Sequence, residues 1–136
     1  MRIEEITVGM SAEHAKTVTE ADVVLFAGIT GDFNPVHVDA EAAAKSRFGA
    51  RIAHGMLSAG LVSATIAMKL PGPGSIYMTQ SLRFTKPVMI GDTVTARVEV
   101  AEVITAKKRV RLSTICRNQR GEVVLDGEAL LMVPDG

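Results

Sequence analysis

Asp32 and His37 lie five residues apart in the stretch Thr30-Gly31-Asp32-Phe33-Asn34-Pro35-Val36-His37. Its Gly, Asn and Pro read as a loop, neither helix nor strand. Pro35 fixes its own φ and pushes Asn34 out of the helical region, and Gly31 permits a backbone angle that larger residues resist. A carboxylate accepts a hydrogen bond and an imidazole exchanges protons near neutral pH, so the two together can polarise a water. The competing reading is that Asp32 caps its own loop while His37 packs under it. No third ligand stands at a sensible spacing, so no metal site is expected.

Gly55 adds a second kind of chemistry. It stands at the N-terminus of the most hydrophobic helical stretch, where free N–H groups and the helix dipole favour negative charge. A glycine there lets a carbonyl oxygen approach the backbone, which makes an oxyanion site for a thioester. The plainer alternative is that Gly55 only relieves a tight turn.

These residues need elements to hold them. Residues 11–19 alternate loosely and predict a weak edge strand, with His14 as a surface histidine. Thr19 and Asp22 form a capping box for a helix over about 20–29, which carries Val23, Val24, Phe26 and Ala27 toward a core. Asp39 caps a short alanine-rich helix over about 40–47, stopped by Phe48-Gly49. After the loop Arg51-Ile52-Ala53-His54-Gly55, residues 56–70 are apolar on almost every face, which predicts a buried helix. Lys69 is its one charge, and Pro71-Gly72-Pro73-Gly74 ends it. The second half reads as strand over 75–86, 93–104, 109–117 and 122–133. Val94, Ala96, Val98 and Val100 share one face, as do Val110, Leu112, Thr114 and Cys116. Short connections imply antiparallel neighbours. The pattern is α+β: an antiparallel sheet curled around one long buried helix.

Composition narrows the class. The chain of 136 residues predicts one domain over 1–136, with 47% hydrophobic residues for its core. Fifteen basic and fifteen acidic residues cancel, leaving no net field for nucleic acid or an anionic membrane. Four Phe, one Tyr and no Trp make no platform for base stacking. The single Cys116 fits a reducing compartment, and Glu4 and Glu5 interrupt any leader-like start. No apolar run spans a bilayer. A cytoplasmic protein without cofactor follows.

Phe26-Ala-Gly-Ile-Thr-Gly-Asp-Phe-Asn-Pro-Val-His37, with Ala43 six residues on, resembles the signature of the MaoC-like (R)-specific enoyl-CoA hydratases. Ile52-Ala-His-Gly-Met-Leu57, Gly74-Ser-Ile-Tyr77 and Ser81-Leu-Arg-Phe84 are similar to that family as well, and the likeness runs from about residue 10 to 133. The resemblance implies a hot-dog fold and a homodimer with an acyl tunnel near the subunit interface. It implies an acyl-CoA substrate, and syn addition of water to a trans-2-enoyl thioester. Asp32 and His37 would hold the water, and Gly55 N–H would bind the thioester oxygen. Asn34 would brace the loop near the substrate. Ser63 would lie beside Asp32 and orient it, unless it bonds only its own helix.

Fold alone does not separate a hydratase from its relatives. A dehydratase acting on carrier-protein substrates runs the same chemistry in reverse. A non-catalytic acyl-binding subunit would have lost Asp32 or His37. A thioesterase needs an acid on or beside the central helix, and residues 56–68 contain none.

Overall fold

The structure, a computed structural model, describes residues 1–135. In chain order the elements are β1 (Ser11–Thr17), α1 (Glu20–Thr30), α2 (Pro35–Val38), α3 (Ala40–Ala44), α4 (Gly55–Met68), β2 (Ile76–Gln80), β3 (Arg83–Phe84), β4 (Thr93–Ile104), β5 (Arg109–Arg117) and β6 (Val123–Met132). The strands form one antiparallel sheet in the order β1-β4-β5-β6-β2, with β3 also on β6. The sheet packs around α4, as the alternation in the second half demands.

That alternation is kept. Val94, Ala96, Val98 and Val100 of β4 are buried, and so are Val110, Leu112, Thr114 and Cys116 of β5. Together with Leu61, Val62 and Ile66 of α4 they make the core. The edge strand over 11–17 also forms, paired among the described residues to β4 alone. His14 lies opposite Ala96 on this edge strand and is half-buried.

Thr19 caps α1 as its sequence predicts: its hydroxyl accepts from Asp22 N at 3.2 Å, and Asp22 accepts from Thr19 N at 2.9 Å. Only part of the expected inward face is inward. Val23 and Ala27 are fully buried, whereas Val24 is 51% exposed. Val24 sits about 100° of helical rotation from Val23, on the side of α1 that the core does not cover. The alanine-rich helix stops at Ala44, three residues before the expected end, and Asp39 caps it by accepting from Glu41 N and Ala42 N.

Two further expectations change. The strand over 75–86 is broken into β2 and β3, because Ser81 crosses over Gly127 of β6. A Cβ on Gly127 would lie 1.8 Å from the Ser81 carbonyl oxygen, so only glycine admits the crossing. Ser81 is then held to Glu128 by two bonds of 2.9 Å, one in each direction. The central helix is not buried all round either. Ser58, Leu61, Val62, Thr65 and Ile66 face the sheet, while Met56, Gly60, Ala67 and Met68 face outward. A sheet covers one side of a helix, and an apolar sequence does not say what covers the other.

Candidate active site

The loop that carries Asp32 and His37 is more regular than its composition suggests. Gly31 closes α1 at φ 84°, and the chain then makes a single helical turn, α2, which contains His37. Asn34 is the N-cap of that turn and Pro35 its first residue, where a missing N–H costs nothing. Asn34 Oδ1 accepts from Val36 N at 3.2 Å, and Asp32 Oδ1 accepts from Asn34 N at 3.2 Å. Asn34 therefore braces the loop as expected. The sharp bend at Asp32–Asn34 and the turn that follows bring Asp32 and His37 toward one point.

Residues 51–54 act as a splint along that turn. Ile52 N donates to Val36 O at 3.1 Å, and His37 Nδ1 donates to Ile52 O at 2.7 Å. Arg51 Nε donates to His37 O at 2.7 Å while its Nη1 reaches Glu20 of α1, also at 2.7 Å. His54 Nε2 donates to Asp32 O at 3.0 Å. A carbonyl can only accept, so His37 carries its proton on Nδ1 and leaves Nε2 as a free lone pair. Both imidazoles are buried and stack at a centroid distance of 3.9 Å.

One ligand-type atom from each of Asp32, His37 and His54 lies within 4.8 Å of the other two. Sequence spacing offered no third donor near the Asp–His pair; the fold supplies one, His54, from 22 residues beyond Asp32. A carboxylate and two imidazoles are a plausible ligand chemistry for a divalent ion. Each ring, however, has one nitrogen already engaged with a backbone carbonyl.

Gly55 is the first residue of α4, with His54 as its N-cap. As the first helical residue its N–H has no carbonyl within the helix to bond. Glycine leaves room there: a Cβ would lie 2.7 Å from two carbons of the half-exposed Phe84 ring, which would have to shift. Gly55 thus also packs closely against Phe84, beside the two roles its position suggested.

A cavity of about 510 Å³ lies beyond Met56, between α4 and β2, lined among others by Phe26, Gly60, Ser63, Met78 and Leu82. A second, of about 420 Å³, lies on the Phe84 side of Met56, with Gly55, Phe48, Arg47 and Lys86 in its wall. Ser63 belongs to the first. It makes no hydrogen bond to Asp32 among the described residues. Eight residues separate it from Gly55, roughly 12 Å along the axis, which puts it in the cavity wall.

The family model of the MaoC like domain matches residues 4–119. This chain belongs to the MaoC-like family. It is 53% identical over 131 residues to the (R)-specific enoyl-CoA hydratase of Rhodospirillum rubrum, covering 96% of this chain and 90% of that one. It is 50% identical to the 3-hydroxybutyryl-CoA dehydratase of Methylorubrum extorquens, covering 96% and 83%. The unliganded R-hydratase PhaJ1 of Pseudomonas aeruginosa superposes with a TM-score of 0.94 at 50% identity, covering 99% of this chain and 86% of that one. The fold is therefore the hot-dog fold of the MaoC-like R-hydratases. His54 and Arg51 escaped the sequence reading, although both stand in the segment that leads into Gly55 in the sequence and could have been weighed with it.

Proposed function

We propose that this MaoC-like protein is an (R)-specific enoyl-CoA hydratase, a hydro-lyase that adds water reversibly to trans-2-enoyl-CoA to give (R)-3-hydroxyacyl-CoA. The observation that carries the reading is the convergence of the His37 ring and the Asp32 carboxylate, ligand-type atoms of which lie within 4.8 Å of each other, with the N-terminus of α4 tied to the same loop through His54. Near-full-length identity to an (R)-specific enoyl-CoA hydratase supports the substrate class.

Asp32 and His37 Nε2 hold one water between them. Its oxygen bonds to Cβ as one proton passes to the pair, and the C=C electrons move onto the thioester oxygen. Gly55 N–H receives that developing charge, in the field of the helix N-terminus. A proton from the pair then reaches Cα on the same face, which completes syn addition. Neither proton transfer is assigned to one residue of the pair alone. The acyl chain takes the cavity lined by Phe26, Met78 and Leu82, with Ser63 in its wall. Conjugation to the thioester already makes Cβ electrophilic, so the step calls for no metal.

The protein is read as a homodimer. β2 ends the sheet opposite β1 and carries exposed Ile76, Tyr77 and Met78, beside the open face of α4. A second copy pairing at β2 would cover this edge and close the acyl cavity. Among the described residues no helix is long and apolar enough to cross a membrane, and the free Cys116 is compatible with a reducing cytoplasm.

The test is direct. Purified protein mixed with crotonyl-CoA should bleach enoyl absorbance and yield the (R)-3-hydroxy product. Absence of turnover with short and medium enoyl-CoA substrates would overturn the reading.

A further inference from the structure

We infer that His54 is a positioning residue, which sets the distance between Asp32 and His37 through its hydrogen bond to the Asp32 carbonyl. The inference rests on the reading of Asp32 and His37 as the reacting pair.

His54 is the N-cap of α4, yet its side chain makes no capping bond. It reaches away from its own helix to Asp32 O at 3.0 Å. Its ring lies between two others, Phe26 at 4.7 Å and His37 at 3.9 Å, and is 2% exposed. The carbonyl fixes the proton on Nε2, so Nδ1 is left as a buried lone pair, and it has no partner. A phenylalanine would fill this sandwich without burying an unpartnered nitrogen. What histidine adds over phenylalanine is the single bond to Asp32.

That bond matters because Asp32 is otherwise held only by its neighbours. Asp32 N donates to Thr30 Oγ1, and Asp32 Oδ1 accepts from Asn34 N, both within two residues. Neither bond ties Asp32 to the rest of the fold. His37 is anchored elsewhere, to Ile52. The two halves of the pair are therefore set by residues 52 and 54 of one short splint, and that splint is itself tied to the body by Ala53 N donating to Val88 O at 2.7 Å. Loss of the His54 arm frees the Asp32 end alone.

His54→Phe keeps the ring stack and removes the donor. Its kcat for crotonyl-CoA should fall by roughly 10–100-fold, the scale of misplacing a reacting group by about 1 Å, with KM within about twofold. His54→Gln places an N–H at a reach similar to Nε2 and should recover much of the lost kcat. If the Phe variant does not fold, His54→Met supplies the donor-free comparison. A donor-free variant with wild-type kcat overturns the inference, and so does a Gln variant as slow as the donor-free one. Asp32→Asn is measured alongside: if that variant turns over normally, the underlying reading of the pair has failed instead.

Discussion

The His37 ring donates from Nδ1 to the Ile52 carbonyl at 2.7 Å, and this one bond decides which nitrogen is left for chemistry. A backbone carbonyl does not release its partner or change its polarity, so the tautomer is fixed by the fold. Nε2 is the nitrogen left to accept. His37→Ala and Asp32→Asn should each lower kcat by on the order of 10²–10⁴, the range for losing a general acid–base group. Circular dichroism should show both variants folded, because Asp32 is exposed and the splint keeps its other bonds. Turnover close to wild type in either variant would remove that residue from the mechanism.

Gly55 has two properties that mutation can separate. Its missing Cβ makes room for Phe84, and its N–H is a free donor at the start of α4. Gly55→Ala adds the Cβ and keeps the donor; Gly55→Pro adds it and removes the donor. Proline fits the first helical position, and His54 before it already has φ −61° and ψ 134°, as a residue preceding proline needs. The Pro variant should be slower than the Ala variant by roughly 10²–10³ in kcat, the scale of one oxyanion donor. Comparable kcat in the two, measured per folded site, would leave the N–H without a catalytic role.

The edge strand β2 tests the assembly. Met78 is 37% exposed on it and also lines the acyl cavity. In solution the wild type should scatter light as twice 14.4 kDa. Met78→Glu should shift the protein toward monomer, since a charge on an edge strand opposes pairing, and activity should fall with dissociation. A wild-type mass equal to one chain, with full activity, would reject the dimer.

Cys116 lies on the inner face of β5, fully buried, with Sγ 3.7 Å from the Ser58 carbonyl of α4. Burial pushes its thiol up to about 12. The reactive thiolate is then scarce at any ordinary pH. A thiol reagent such as dithiobis(nitrobenzoate) should leave the native protein untouched and label one site per chain after denaturation. Rapid labelling of the folded protein would mean that α4 lifts from the sheet.

What the sequence determined is what local physics decides. Thr19 and Asp22 lie within one turn of each other, so their capping box could be read directly. The alternation of Val94, Ala96, Val98 and Val100 names a face without reference to any partner strand. Gly55 marks a helix start because a loop hands over there to the apolar run 56–70, whereas the single turn that begins at Pro35 was hidden in a segment whose Gly, Asn and Pro read as loop. Asp32 and His37 stood out because their spacing and loop chemistry are local as well.

Tertiary structure alone decided the rest, and in each case the deciding contact is long-range. An all-apolar α4 has no periodicity to reveal its open face, so the exposure of Met56 and Gly60 follows from where the sheet lies. The break between β2 and β3 depends on Ser81 meeting Gly127, 46 positions later in the chain. His54 reads as an ordinary loop histidine until folding stacks it on His37 and turns its N–H toward Asp32. Residue type sets what His54 can donate; only the packed chain sets the acceptor, because a hydrogen bond is decided within about 3 Å in space and not by separation along the sequence.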